Sequence, residues 1–487
     1  MPAAALAGLA TGLGAAALLL GSGSAIALEI YGGPFPLAGA GGCLRDSGVE
    51  PPGGQVCAGS ANGLAGAQAL AVSPDGANVY VAGEGAVVAL ARNRYSGALQ
   101  PALSPSARAC VAASSGIACA SDDAALTGAD AVAVSPNGRF VYVGASDSAS
   151  VSAFERGQDG VLEPVAFRVL VPVAHRGSAR HASHPPPSVY FGCVAGSRLA
   201  GAPEPRCGVS VGGLNGVDAL AISPDGRYLY AVSYGLQAGQ DSVVALQIEP
   251  RSGALRPLPS GGGCWQSLPG SDCPAVAGLE GASAVTISPD GRFLYVASEV
   301  SGAVRGFTRN LSTGAITPMY GNGGCVSSGN YARMDKSCEL KVPQLGGARS
   351  LALSPDGREL YVAAFAPGAV VTLGRNTSDG RLLALPANCM QAQADSSCPM
   401  GRTQLRGAAA LALAPGGGIL YVLAEGADAL VELRRDPAEG TLTLTGETPV
   451  ASDPLSGPVA IALSPSGENV YMASPFDNGV AALMAEE

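Results

Sequence analysis

Short apolar segments with alternating large and small residues recur along the chain, and a turn sequence follows each of them. A typical copy is the segment AVAV at 131–134, which runs directly into SPNG at 135–138. Proline presets the backbone angle φ for a turn, and Asn-Gly or Asp-Gly completes it. Seven such turns begin at Ser73, Ser135, Ser223, Ser288, Ser354, Ala414 and Ser464.

The residues after each turn predict three further strands. In one repeat the strand FLYVA at 293–297 is followed by a loop and by the strand GAVRGF at 302–307. The turn STG at 312–314 then leads into a short fourth strand that ends at Pro318. Four antiparallel strands repeated seven times predict an all-β fold, a seven-bladed β-propeller. A solenoid would need capping repeats with a polar outer face, and the sequence has none.

The two ends of the chain predict how the ring closes. The seventh repeat stops after its third strand, near Leu483, and the segment PFPLAG at 34–39 resembles the missing fourth strand. We therefore expect an N-terminal strand that closes the last blade and hides strand edges that would promote aggregation. The predicted blades start near residues 67, 129, 217, 282, 348, 408 and 458.

The composition fits a large globular core and an acidic surface. Of the 487 residues 47% are apolar, and the net charge is −10 with a pI of about 4.9. Binding to nucleic-acid phosphates requires a basic patch, so the composition argues against a nucleic-acid partner.

The first 27 residues are typical of a secretory signal peptide. Residues 3–20 are apolar and uncharged, and the sequence AIA at 25–27 offers a small-x-small cleavage site. An uncleaved membrane anchor is the alternative, although segments rich in Ala and Gly span a bilayer poorly. We predict a signal peptide at 1–27, a propeller domain at 28–487, no membrane span after cleavage, and a secreted, periplasmic or cell-envelope location.

The twelve cysteines form six local pairs, each lying between the fourth strand of one predicted blade and the first strand of the next. An even number of regularly spaced cysteines predicts disulfides formed in an oxidising compartment. A zinc site would need C-x-x-C spacing and further ligands. The pairs are Cys43–Cys57, Cys110–Cys119, Cys193–Cys207, Cys264–Cys273, Cys325–Cys338 and Cys389–Cys398.

The repeat SPDGRFLYVA at 288–297, with its following turn STGAI at 312–316, resembles the repeats of the seven-bladed lactonase-type propellers. The cysteine pairs are similar to those of an exported branch of that family. The resemblance implies hydrolysis of lactones, such as 6-phosphogluconolactone, by His, Arg and acidic side chains at the mouth of the central channel. The histidines of this chain lie in an insertion at 165–216 between blades two and three, as His175, His181 and His184.

Alignment of the repeats isolates one variable position near the start of each first strand, between nearly uniform Gly, Ala or Val residues. The loops that join fourth to first strands share one end of the blades with the loops that join second to third strands. We call this end the cysteine-loop face and expect the variable position there, at the mouth of the channel. The ligand-binding candidates are Gln68, Asp130, Asp218, Ser283 and Arg349, and the remaining copies are Ala409 and Val459.

A second ring of acids is predicted in the loops between second and third strands, at Glu84, Asp147, Asp241, Glu299, Glu425 and Asp477. Oxygen ligands in these two rings can hold a divalent cation, or they can recognise a small anion and perform acid–base chemistry on it. Alternatively, the acids are solvated, and Asp130 and Asp218 cap local backbone amides. No resident cofactor is predicted, and a divalent cation is the one candidate.

These observations predict a secreted binding or interaction module with a ligand site on the cysteine-loop face, whose partner is a small molecule or a protein. The alternatives are a lactonase-like hydrolase acting on a sugar-acid or other lactone, and a structural protein of the cell envelope. An enzyme requires convergent charges and at least one strongly shifted pKa at the mouth. A binding module instead exposes apolar or aromatic loop patches.

Overall fold

Each sequence repeat folds as one antiparallel sheet, and the sheets follow one another along the chain as seven blades. The structure is a computed structural model. It describes residues 34–37, 42–47, 57, 59–102, 109–113, 119, 124–168, 189–196, 207–235, 240–258, 262–269, 273–329, 338–396, 398–449 and 455–485. The predicted signal peptide and the three histidines lie outside these residues.

The strands have the lengths and order expected from the apolar pattern. The first strands are Ala69–Val72, Ala129–Val134, Val217–Ile222, Ala282–Ile287, Ala348–Leu353, Ala408–Leu413 and Ala460–Leu463. The second strands are Asn78–Gly83, Phe140–Ala145, Tyr228–Ser233, Phe293–Ser298, Glu359–Ala364, Ile419–Ala424 and Asn469–Ser474. The third strands are Ala86–Arg92, Ser150–Arg156, Ser242–Ile248, Ala303–Arg309, Ala369–Arg375, Ala429–Arg435 and Gly479–Met484.

The fourth strand is broken in most blades, which the sequence did not predict. Its first segment ends at a proline in each of these blades, and proline has no backbone N–H with which to continue the ladder. The two-segment strands are Leu99–Pro101 with Cys110–Ala112, Leu162–Pro164 with Val189–Ala195, Leu255–Pro257 with Cys264–Gln266, and Ile316–Pro318 with Cys325–Ser327. Blades five and six have the single strands Leu382–Gln391 and Leu442–Pro449.

Short additional strands and helical turns lie in the connections. The strands Gly59–Ala61, Cys207–Ser210, Leu340–Lys341 and Met400–Gly401 pair in parallel with the preceding fourth strand, and Ala166–Arg168 pairs antiparallel within the insertion of blade two. The 3-10 turns are Ala124–Leu126, Pro343–Leu345, Thr403–Leu405 and Glu425–Ala427. Among the described residues, no helix has the length and apolar character needed to cross a bilayer.

The N-terminal strands close the ring, as predicted. Phe35–Pro36 and Cys43–Asp46 both pair antiparallel with Gly479–Met484, the third strand of blade seven. The first strand of blade seven also contacts Ala69–Val72 of blade one, so neighbouring first strands contact one another around the whole channel. The fold is therefore an all-β, seven-bladed propeller whose N-terminal strand completes the last blade.

All six predicted disulfides are present, and the core lies in the seams between blades. The cysteines pair within their own loops, with sequence separations of 9 to 14. Apolar side chains from adjacent blades pack together, as Phe140 and Tyr142 of blade two do with Leu229 and Leu246 of blade three. Local disulfides of this kind are typical of proteins that fold in an oxidising compartment.

Candidate functional site

The variable position of the alignment coincides with a β-bulge in five blades. In blade two Ala129 pairs with Ala145 and Ala131 pairs with Gly144, so the residue between them has no partner on the second strand. Bulged residues leave the regular alternation of faces, and bulges re-aim side chains near binding sites. The bulged residues are Asp130, Asp218, Ser283, Arg349 and Ala409.

The two other copies occupy the corresponding place just before their first strands. The amide of Gln68 donates to the carbonyl oxygen of Ala82 at 2.9 Å, and the amide of Val459 donates to that of Ala473 at the same distance. The side chain of Gln68 is exposed. Ser283 lies within the ring, where its hydroxyl donates to the carbonyl oxygen of Ala348 at 3.1 Å. Gln68 and Ser283 are therefore present in the ring but outside the charged cluster described next.

Asp218 lies at the centre of a group of charged residues from blades two to five. Burial raises its pKa to about 7, and the negative charges of Asp130 and Glu299 act in the same direction, while Arg349 opposes them. The side chain is only half-buried, so solvent still reaches it. A carboxyl group in this state exchanges its proton near neutral pH, as general acids and bases do.

Asp130, the neighbouring bulge residue, is held by its own blade. The hydroxyl of Ser146 donates to its Oδ2 atom. Burial raises the pKa of Asp130, although the Ser146 hydrogen bond lowers it, and the charge of Asp147 raises it further. Asp130 therefore lies beside Asp218 as a second carboxyl group whose ionised form is disfavoured.

Arg349 connects three blades. Its Nη2 atom lies 2.8 Å from Oε1 of Glu299, and its Nη1 atom lies 3.3 Å from Oε2 of Glu425. The guanidinium carbon lies 3.7 Å from the centre of the Phe365 ring. All three charged side chains remain about one third exposed. The guanidinium is thus fixed in orientation, and its positive charge is offset by two carboxylates.

The six acids predicted in the second-to-third loops lie in those loops, but they do not occupy equivalent positions and have different contacts. Asp241 and Asp477 are buried. The amide of Gly235 donates to Asp241 at 3.1 Å, and Asp477 pairs with Arg45 at 3.3 Å. These two acids fix loops. Glu84 and Asp147 are exposed, and only Glu299 and Glu425 contact Arg349.

The loops differ in length, which explains why the six acids are not at equivalent positions. Counting from the last residue of each second strand gives the equivalent positions as Glu84, Ser146, Tyr234, Glu299, Phe365, Glu425 and Pro475. Sequence reasoning missed Ser146, Tyr234, Phe365 and Pro475. Counting from the strand end, rather than searching the loops for acids, would have found them.

Among the described residues, no group of three or more His, Cys, Asp or Glu side chains lies close enough together to hold a metal ion. A divalent cation at the mouth therefore remains a hypothesis from sequence.

The comparison with protein families follows the repeat. Residues 325–484 match the family described as lactonase, 7-bladed beta-propeller. The chain is similar to the lactonase propellers. The matched segment is about a third of the chain and contains Arg349, Phe365 and Glu425 but not Asp218. No curated protein sequence matches the chain.

Solved structures with low sequence identity are similar to this chain. A protein from Bacteroides uniformis described as a candidate 6-phosphogluconolactonase has 20% identity and a TM-score of 0.49, and the match covers 78% of this chain and 85% of that one. The periplasmic gluconolactonase of Pseudomonas aeruginosa has 20% identity and a TM-score of 0.48, with 79% and 85% covered. Hydrazine synthase of Kuenenia stuttgartiensis has 14% identity and a TM-score of 0.50, with 90% and 99% covered. At these identities the likeness concerns the fold alone.

Proposed function

We propose that the cysteine-loop face of the central channel is a small-molecule site and that the protein hydrolyses a lactone there. Asp218 carries this proposal, because it is half-buried, has a pKa of about 7, and lies among the charges of Asp130, Glu299 and Arg349. Convergent charges with a shifted pKa are the property that separates a catalytic site from a binding patch. The lactonase family match over residues 325–484 supports a lactone as the substrate class.

In the proposed reaction the carboxylate of Asp218 is the general base. It accepts a proton from a water molecule while the water oxygen bonds to the lactone carbonyl carbon. The ring carbon–oxygen bond then breaks, and the same proton passes to the leaving ring oxygen. The products are the open-chain hydroxy acid and regenerated Asp218, so atoms and electrons balance. Base catalysis of this type contributes about 10² to 10⁴ in rate.

Arg349 is proposed to stabilise the negative oxygen that forms in the transition state. Its ion pairs with Glu299 and Glu425 hold the guanidinium in one orientation. A guanidinium carries five N–H donors, so donors remain for a developing oxyanion. Donors that are already oriented stabilise such a charge without reorganisation.

The charge balance of the mouth favours a neutral substrate. In the charged cluster around Asp218 the acids Asp130, Asp218, Glu299 and Glu425 outnumber the cation Arg349. A phosphorylated lactone carries a dianion, which usually requires several Arg or Lys donors. An acidic rim would lower the local concentration of that substrate. We therefore expect an unphosphorylated lactone to be the substrate and 6-phosphogluconolactone to be a poor one.

The test is lactone hydrolysis by the purified protein and the Asp218→Asn variant. We expect kcat to fall by at least about 10² in the variant. In the unaltered protein, kcat/KM should rise with pH through about 7, because the base form of Asp218 is required. Glu163→Gln is the matched control, since Glu163 is an exposed acid on the outer strand of blade two. Equal turnover by the two variants would contradict the proposal.

One observation favours a second function, ligand binding without turnover. Arg349 is already offset by two carboxylates, so it is a weaker electrophile than an unpaired arginine. If this function is correct, lactones will raise the melting temperature of the protein without being hydrolysed, and Asp218→Asn will retain the shift.

The location is also proposed. Six disulfides support a secreted or periplasmic protein. Mass spectrometry of the mature protein, beginning near residue 28, would test signal cleavage.

A further inference from the structure

The mouth of the channel has a polar side and an apolar side. The bulge position carries polar side chains in blades one to five, at Gln68, Asp130, Asp218, Ser283 and Arg349. In blades six and seven it carries Ala409, which is buried, and Val459, which is half-buried. At the bulge position the charged residues Asp130, Asp218 and Arg349 therefore lie in blades two, three and five, and blade six contributes a charge only from its second-to-third loop, at Glu425.

An exposed aromatic ring adds to the apolar side. Phe476 lies in the second-to-third loop of blade seven, and 65% of its surface is exposed. Its ring lies against the backbone of Gly457, where a Cβ atom would be 2.7 Å from a ring carbon. Gly457 has a φ of +54°, so both its conformation and the space beside it favour glycine. Pro475 precedes Phe476 in the same loop and is half-buried, as Val459 is.

The loop that carries Phe476 is anchored at the next residue. Asp477 is buried, accepts a hydrogen bond from the amide of Ser456, and pairs with Arg45 of the N-terminal closing strand. The amide of Asp477 in turn donates to the hydroxyl of Ser474 at 3.2 Å. Phe476 is therefore held at the surface by a fixed loop, and its exposure is built into the fold. Fixed apolar groups next to a few convergent polar groups are typical of small-molecule sites.

We infer that the substrate is a neutral lactone with an alkyl or aryl substituent, whose ring lies between Asp218 and Arg349 and whose substituent lies over Phe476 and Val459. This inference rests on the proposed hydrolase and specifies its substrate class. A hydroxyl-rich lactone would place hydroxyl groups over Ala409, Val459 and Phe476, whose side chains offer no hydrogen-bond partners. Polar groups that bury without partners weaken binding.

The test is a series of γ-lactones that differ only in the length of the alkyl chain, from γ-butyrolactone to γ-octalactone, with glucono-δ-lactone alongside. We expect kcat/KM to rise by about threefold for each methylene group that reaches the apolar side. Phe476→Ala should remove the dependence of kcat/KM on chain length. Phe476→Leu should retain most of the dependence. Tyr95→Ala is the matched control, because Tyr95 is fully exposed in a turn at the opposite end of blade one.

The outcomes separate this inference from the proposed function. Turnover that is independent of chain length, or that is highest with glucono-δ-lactone, overturns the inference while the hydrolase proposal stands. If no lactone is hydrolysed, the hydrolase proposal fails. In that case the binding of 2-alkyltetrahydrofurans, measured as a shift in the melting temperature of the protein, tests whether the apolar side binds alkyl groups. A shift that grows with chain length and is lost in Phe476→Ala supports it, and the absence of such a shift overturns it.

Discussion

The guanidinium of Arg309 reaches across the seam between blades three and four to Asp225, with Nη2 3.1 Å from Oδ2. Its Nε atom donates to the hydroxyl of Tyr230 at 2.7 Å, and its Nη1 atom donates to the carbonyl oxygen of Gly291 at 2.9 Å. Asp225 belongs to a Ser-Pro-Asp-Gly turn of blade three, and Gly291 belongs to that of blade four. The repeated turn is thus part of the contact that holds neighbouring blades together.

Replacement of this arginine should destabilise the fold. Arg309→Ala leaves the Gly291 carbonyl oxygen without its side-chain donor and the Asp225 carboxylate without its cation. We expect the free energy of unfolding to fall by about 3 kcal/mol, because a buried charged hydrogen-bonding group is removed. Urea unfolding measures the change. Arg256→Ala, at an exposed arginine on the outer strand of blade three, should change stability by less than about 0.5 kcal/mol. Equal effects of the two substitutions would refute a role for the seam contact.

The same seam contacts predict acid sensitivity. Burial by itself would raise the pKa of Asp75. Hydrogen bonds from Ser73, the backbone amide of Ala77 and Arg156 outweigh burial and lower that pKa to about 2. The pKa values of the equivalent turn acids are lowered in the same way, at Asp225, Asp290 and Asp356.

A folded-state pKa below the unfolded value of 3.8 means that each of these acids stabilises the fold above about pH 4. The contribution of Asp75 is lost as the pH falls from about 4 through 2, and those of the other three acids are lost as the pH falls below about 4. Melting temperatures measured between pH 5 and pH 2 should therefore decline most steeply below pH 4. Asp75→Asn should reduce the slope, whereas Glu163→Gln should not. A flat profile in this window would show that the turn acids contribute nothing measurable.

Asp218 should affect stability with the opposite sign. Burial and the charges of Asp130 and Glu299 raise its folded-state pKa to about 7, so the folded protein binds this proton more tightly than the unfolded chain does. The free energy of unfolding therefore decreases, through Asp218, as the pH rises from about 4 through 7.

Asp218→Asn should consequently melt at a higher temperature than the unaltered protein at pH 8, and the difference should shrink towards pH 4. Thermal unfolding followed by circular dichroism at both pH values provides the measurement. A variant that is stabilised at pH 8 and has lost turnover would identify a residue kept for function at the expense of stability. Lower stability of the variant at pH 8 would mean that Asp218 has a structural role instead.

The sequence was sufficient for the architecture because each repeat carries its own turns and strands. It also located the variable position, since the residues on either side are nearly uniform. What distinguishes that position is a β-bulge, which arises from a register shift between Ala129 and Ala131. The shift depends on pairing with the second strand, and the sequence of one strand does not reveal that pairing. The acids of the second-to-third loops were found in the expected loops, but their positions are not equivalent, because loops of unequal length can be aligned only from the end of the preceding strand.

The seam contacts were missed because they are non-local. Arginine ends the third strand in five repeats, and in four of them an acidic partner lies in the preceding blade, as Asp225 does for Arg309, 84 residues apart. In the fifth, Arg92 donates to Asn469 and Tyr471 of blade seven. Each member of the pair looks like an ordinary solvated charge when its repeat is considered alone. Only the curvature of the ring brings the two together.

The N-terminal closure predicts unequal contributions from two disulfides. Cys43 begins a strand in which Leu44 pairs with Val480, and Cys57 lies two residues before the start of the parallel strand Gly59–Ala61. Removing the Cys43–Cys57 bond through Cys43→Ser with Cys57→Ser should cost about 3 kcal/mol from chain entropy. Removing Cys264–Cys273 should cost nearly the same by that argument, because loop length enters only as a logarithm.

We expect the Cys43–Cys57 variant to lose more stability than this, because its strand joins the two ends of the chain and carries Arg45, the partner of Asp477. Hydrogen exchange gives a direct measurement, since the amide of Ala482 donates to the carbonyl oxygen of Gly42 at 2.8 Å. Protection of Ala482 should fall in the Cys43–Cys57 variant and stay unchanged in the Cys264–Cys273 variant. Equal losses of stability together with unchanged protection of Ala482 would show that closure does not depend on the disulfide, and that strand pairing alone holds the N-terminus in the last blade.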